Sequence, residues 1–272
     1  MKQPATRCSP RVGSDRRLFR ASRATRTQNA TVAYVDRERW LAQVRDPHWY
    51  LELRDEYESL LSRARASRPD VRRRIADEVY SFFEDVLQDG SIALGDAGPD
   101  WDAERTQIDT VVIHHTGLPP GITHNRIDAI HLTRIYARYY ADPAPAEAAI
   151  RGTPIFSGHY MNRRQVFYGY HWLIRLDGTA ERLLADDQTG WQAGNWEVNC
   201  RSVGICLDGD FHAAEPPALA LTALSELLRS SYPVVPPTRI FGHYEINPNT
   251  TCPGGLFSNW RATIAPTSGC GL

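Results

Sequence analysis

A histidine and a cysteine nine positions apart, His243 and Cys252, bracket the segment Phe241-Gly-His-Tyr-Glu-Ile-Asn-Pro-Asn-Thr-Thr-Cys-Pro-Gly-Gly255. Imidazole nitrogen and thiolate sulfur are both good ligands for Zn²⁺, and a polar loop can wrap both onto one ion. Two ligands are too few for a catalytic zinc. The natural third is His114, at the end of the apolar, β-branched run in Ile108-Asp-Thr-Val-Val-Ile-His-His-Thr116. A set of two histidines and one cysteine leaves the fourth tetrahedral position to water, as a zinc hydrolase requires. Each residue alone has a plainer reading. A histidine near a strand end is usually a hydrogen-bonding residue, a lone cysteine a small buried hydrophobe, and Cys-Pro-Gly a turn.

Three further blocks lie between the ligand segments. They are Tyr168-Gly-Tyr-His-Trp-Leu-Ile-Arg-Leu-Asp-Gly-Thr179, Gly190-Trp-Gln-Ala-Gly-Asn-Trp196 and Asn199-Cys-Arg-Ser-Val-Gly-Ile-Cys-Leu-Asp-Gly209. In this order, with the two ligand segments, the blocks resemble the zinc N-acetylmuramoyl-L-alanine amidases. That superfamily includes the peptidoglycan recognition proteins, the T7-type lysozyme amidase and the anhydromuropeptide-recycling amidases. The resemblance spans roughly residues 108–265. It implies Zn²⁺ on His114, His243 and Cys252, with Tyr170 beside the attacking water and Thr250 facing the substrate carbonyl. His115 and His171 are not expected to bind metal. The chemistry is consistent with these residue types. An unactivated amide needs a strong nucleophile, which zinc supplies by lowering the pKa of its water to about 7. A hydroxyl donor can then help hold the oxyanion.

The pattern departs from the family in places. Recycling amidases carry a glutamate at the position of Cys206; the residue here is cysteine, as in the T7-type enzyme, which relies on the tyrosine instead, and Asp208, two residues on, points the same way along a strand. It is either a substitute base or a structural carboxylate. The spacing from His243 to Cys252 is one longer than is usual in the family. Gln192 occupies a position where many members place a substrate-contacting histidine. The run His114-His-Thr-Gly-Leu-Pro-Pro-Gly121 resembles the recycling branch, in which a long insertion follows the first ligand. Here the insertion covers residues 117–167, and Ile127, Ile130, Ile135 and Tyr139 predict a helix within it. That helix is expected either to wall the substrate groove or to be a packing appendage.

The elements that must position these residues read as α/β: a mixed central β-sheet flanked by helices, with an α-helical N-terminal extension. Strands are expected at Thr110–His114, Gly169–Arg175, Val203–Leu207 and near Arg239–Phe241. A helix is expected after Pro216-Pro217, ending before Pro233. Residues 36–100 read as an extension built on an αα-hairpin broken at Ser67-Arg-Pro-Asp70, and residues 101–272 as the amidase domain. Residues 1–35 hold one Lys and seven Arg against Asp15 alone, which suggests a disordered basic tail and shows no apolar signal segment.

With 272 residues, 42% hydrophobic content and net charge −1, the chain reads as a globular monomer with no nucleic-acid partner. No apolar run reaches the roughly 20 residues of a membrane span. Five cysteines with no evident pairing suggest free thiols and the cytoplasm. The expected function is a zinc-dependent amidase hydrolysing the bond between N-acetylmuramic acid and L-alanine in peptidoglycan or muropeptides. A receptor that binds muropeptide without cutting it is the alternative; such members usually lack the Cys ligand, which is present here. A thiol hydrolase using Cys252 and His243 is disfavoured, because Pro-Gly follows the cysteine and no helix N-terminus is available to stabilise a thiolate.

Overall fold

The computed structural model describes residues 33–264; the basic N-terminal tail, Cys8 and Cys270 lie outside them, apart from the last three residues of the tail. The first elements are three helices, α1 (Arg37–Gln43), α2 (Trp49–Ala66) and α3 (Pro69–Gln88). Asp36 caps α1 by accepting the Arg39 N–H. Pro69 opens α3, where a missing N–H has no helical partner to lose. The expected αα-hairpin is α2 with α3, and α1 precedes it. Leu53, Tyr57 and Leu61 of α2 repeat every four residues and pack with Val79, Phe82 and Phe83 of α3, as an amphipathic pair requires.

Strand β1 (Thr110–His115) leads into the insertion. The insertion contains α4 (His124–His131), a π-helical turn at Leu132–Tyr136, α5 (Ala137–Ala141) and the short hairpin β2 (Tyr160–Met161) with β3 (Arg164–Gln165). The extension and the insertion share one apolar cluster. Trp40, Tyr50 and Phe83 belong to it together with Leu132, Tyr136, Tyr140, Trp101 and Trp191. Tyr136 stacks on Trp191 with ring centroids 4.5 Å apart.

The remaining elements are β4 (Trp172–Ile174), β5 (Ala180–Arg182), α6 (Trp196–Arg201), β6 (Ser202–Leu207), α7 (Ala218–Ser231), β7 (Ile240–Gly242), α8 (His243–Ile246) and α9 (Phe257–Ile264). The strands form one sheet in the order β5–β4–β6–β1–β7. All neighbours are parallel except β5, which runs against β4, so the sheet is mixed. β4 is shorter than expected from sequence, because the Gly169 N–H is taken by His131 Nδ1 at 2.8 Å instead of a neighbouring strand. Among the described residues no helix is long and apolar enough to cross a membrane, and Cys200, Cys206 and Cys252 are free.

Strand alternation sorts the two faces. Val111 and Ile113 of β1, with Val203, Ile205 and Leu207 of β6, pack under α7 and α9 against Leu224 and Trp260. Val112 and His114, with Gly204 and Cys206, occupy the opposite face. One residue of difference therefore sends His114 and His115 to opposite sides of the sheet.

Candidate metal centre

The C-terminal ends of β1 and β7 bring the three donors together. His114 is the fifth residue of β1, and His243 follows β7 as the first residue of α8. Cys252 returns to the same point because its carbonyl accepts the Tyr244 N–H at 2.8 Å, pinning both ends of the loop. Gly254, after the cis Cys252–Pro253 bond, has φ +114°, and a Cβ there would lie 2.0 Å from the Phe211 carbonyl oxygen. Only glycine permits that close approach.

The donor atoms of His114, His243 and Cys252 all lie within 4.8 Å of one another. Cys252 Sγ is 3.7 Å from His114 Nδ1. Ligands tetrahedrally placed at zinc bond lengths would be about 3.3–3.6 Å apart, so modest contraction closes the site. The hydrogen bonds show which lone pairs remain. Gln192 Oε1 faces His114 Nε2 at 2.5 Å, while its amide nitrogen donates to Ser202 Oγ at 2.9 Å. A neutral imidazole that donates from Nε2 keeps its lone pair on Nδ1, the atom aimed at Cys252. His243 lies beside the backbone of Ala193, and its buried Nε2 has no partner among the described residues. Burial holds both imidazoles below the usual histidine range, His114 well below it, and so neutral. The same burial pushes the Cys252 thiol up to about 12. A coordinating dication reverses that, since a metal-bound thiol is deprotonated; the His115 N–H, 3.3 Å from Sγ, also favours thiolate.

A second trio, His115, Asp210 and His212, is equally tight, but its lone pairs are committed. The Phe211 N–H donates to His115 Nδ1 at 2.9 Å, leaving the ring proton on Nε2. His212 Nδ1 faces Asp210 at 2.7 Å and its Nε2 faces Thr251 Oγ1 at 3.0 Å. A neutral imidazole with its lone pair already bonded has none to give a metal. Proximity alone does not separate the two trios; hydrogen bonding does.

Both residues expected to assist line the cleft with His243 and Cys252, while His114 is buried. The Tyr170 ring centroid is 4.9 Å from that of His114 and 4.8 Å from that of His131. Burial raises its hydroxyl well above the usual phenol range, so it stands as a donor. Thr250 Oγ1 accepts the Cys252 N–H at 3.1 Å, a local bond that shapes the ligand loop and leaves the hydroxyl proton free. Asp208 does not act as a substitute base. It is buried, ion-paired to Arg175 at 2.8 Å, and accepts the Gly121 N–H at 2.7 Å. His171 is also structural: its Nδ1 accepts the Gly204 N–H at 3.1 Å.

The cleft over these residues has a volume of about 760 Å³. Residues 104–255 match the family model of N-acetylmuramoyl-L-alanine amidases. The chain belongs to the N-acetylmuramoyl-L-alanine amidase family. A similar protein is the endolysin of Enterobacteria phage K11, 32% identical over 100 residues. That match covers 35% of this chain and 64% of the endolysin, so the chain spans just under two thirds of that relative's length. Among solved structures, the N-acetylmuramoyl-L-alanine amidase LysC from Clostridium intestinale URNW is 25% identical, with a TM-score of 0.42 over 62% of this chain and 91% of LysC. Drosophila peptidoglycan recognition protein SD is 22% identical, with a TM-score of 0.36 over 55% of this chain and 77% of that one.

For this family member, sequence reasoning missed several cleft residues. Gln192, read as standing in for a substrate-contacting histidine, instead holds His114. His131, Arg134, Arg138 and Trp191 line the cleft, and the insertion helix is thereby a wall of it. The step of five from Ile130 to Ile135, one longer than a helical repeat allows, is the sequence trace of the π turn.

Proposed function

We propose that this chain is a zinc-dependent amidase that hydrolyses the bond between the lactyl carbonyl of N-acetylmuramic acid and L-alanine in peptidoglycan or muropeptides. The observation that carries this reading is the set of three unspent donors, His114 Nδ1, His243 Nε2 and Cys252 Sγ, converging where His243 and Cys252 line a cleft. Bound there, zinc supplies a Lewis acid that activates water as a nucleophile near neutral pH.

The chain's own residues do the rest. Gln192 fixes the His114 tautomer. The Thr250 hydroxyl proton is free to meet the oxyanion that develops on the substrate carbonyl. Tyr170 presents a protonated phenol beside the metal ligands. A phenol of ordinary pKa near 10 is a weak bulk base, so its role is to donate toward the reacting centre and help the leaving amine gain its proton. No carboxylate base is needed from Asp208, and Cys206, fully buried with its thiol raised well above the usual range, stays protonated.

The test is metal content and muropeptide cleavage on one preparation, by elemental analysis and mass spectrometry, with Cys252→Ser alongside. About one zinc per chain with release of free stem peptide, both lost in the variant, is expected. Zinc bound without any cleavage would favour the non-catalytic recognition protein instead.

A further inference from the structure

We propose that Arg134, set on the cleft wall by a π-helical turn that the N-terminal hairpin braces, recognises a carboxylate on the peptide side of the substrate. This rests on the amidase reading for the identity of the substrate. It concerns a residue pair outside the metal site and a turn held by a segment outside the matched family region.

The turn has a local cause. At Leu132–Tyr136 the Ala137 N–H bonds the Leu132 carbonyl, five residues back. The Thr133 hydroxyl contacts the carbonyls of Ala129 at 2.9 Å and Ile130 at 3.1 Å. Thr133's own carbonyl accepts the Tyr57 hydroxyl of α2 at 3.1 Å, in a fully buried bond. Backbone groups that a π turn disturbs are thus met by side chains, one of them supplied by the N-terminal extension. Such turns are frequently found at functional sites.

The extra residue determines what faces the cleft. Arg134 and Arg138, four apart, stand on one helical face and line the cleft with His131, which touches Tyr170. The Arg134 guanidinium lies near the Tyr80 hydroxyl of α3. The nearby arginines Arg126, Arg164 and Arg175 are all ion-paired. Arg134 and Arg138 form no ion pair with any described residue, although Asp142 also lines the cleft. An exposed guanidinium fork at the side of an amide-cleaving site matches a carboxylate in shape and charge. The stem peptide attached to the scissile amide carries such groups.

Two soluble muropeptides identical except for amidation of the stem carboxylates separate the possibilities. Their binding to the full chain is read by calorimetry and their cleavage by mass spectrometry. The wild type is expected to bind the free-acid form roughly tenfold tighter or more, as for a charge-assisted pair. Arg134→Ala removes the preference, Arg134→Lys keeps part of it, and Tyr57→Phe reduces it while helical content is retained. Equal binding of both peptides by the wild type, no binding of either, or full preference in Arg134→Ala overturns the assignment. A preserved preference with no cleavage would count against the amidase reading and leave the carboxylate site standing. Cleavage without preference would do the reverse.

Discussion

Gln192 Oε1 lies 2.5 Å from His114 Nε2 and leaves Nδ1 of the same ring facing Cys252. The pairing is possible because Gly204 lies behind it: a Cβ at that position would come within 2.8 Å of Gln192 Cγ. A residue on β6 with no side chain of its own thus governs the orientation of His114, the proposed metal ligand on β1, and the effect can be measured apart from catalysis.

Gln192→Met removes the acceptor while filling a similar volume. Partners that orient a metal-bound histidine typically contribute about 10–100-fold in metal affinity, and a loss of that size is expected in chelator competition. Gln192→Glu keeps an acceptor at the same point and is expected to retain zinc. Equal retention by Gln192→Met would show that the tautomer is set elsewhere.

Gly204→Ala should reproduce the Gln192→Met defect without touching any polar group. The new methyl displaces Gln192, and the expected signature is weaker zinc retention with modest loss of stability. If the variant loses fold and metal together in a single thermal transition, the effect is on the sheet and not on the ligand.

Tyr170→Phe keeps the ring packed between His114 and His131 and deletes only the hydroxyl. A donor acting on developing charge is worth roughly 10²–10³ in kcat. The drop should appear in kcat with KM and zinc content little changed. Unaltered turnover would confine Tyr170 to packing.

Acid should unfold the protein through histidines buried neutral. Burial, with repulsion from Arg105, pushes His171 down to about 3, and burial with Arg134 nearby does the same for His131. An unfolded histidine titrates near 6.5, so between these values the unfolded chain binds more protons. The stability these groups contribute is therefore full above pH of about 6.5 and falls as pH drops toward 3. Each can cost up to about 5 kcal/mol. Urea midpoints should fall from pH 7 to pH 4, less steeply in His171→Gln; identical slopes in variant and wild type would remove His171 from the account.

What could be read from sequence followed local rules. The run Thr110–His115 is β-branched and apolar, and period-two alternation is enough to place His114 and His115 on opposite faces. The segment carrying His243 and Cys252 stood out by residue type, and folding brings both side chains beside His114. Gln192 was not, because its role depends on Gly204 and Ser202 from a strand that only folding brings beside it. Sequence left Asp208 either a substitute base or a structural carboxylate, and Arg175, 33 residues away, decides for the structural role. Arg134 was hidden for a different reason. The apolar positions Ile127, Ile130, Ile135 and Tyr139 draw attention to the packed face, and the π turn breaks the periodicity that would have assigned the cleft face. Tyr57, which braces that turn, lies 76 residues from Thr133, beyond any local rule.

The central claim is that His114, His243 and Cys252 hold one zinc ion. Zinc-edge X-ray absorption on the purified chain tests it directly. The account predicts two nitrogen scatterers at about 2.0–2.1 Å and one sulfur at about 2.3 Å, with the sulfur contribution lost in Cys252→Ser. A shell of nitrogen and oxygen alone in the wild type, or a sulfur signal that survives Cys252→Ser, would contradict it.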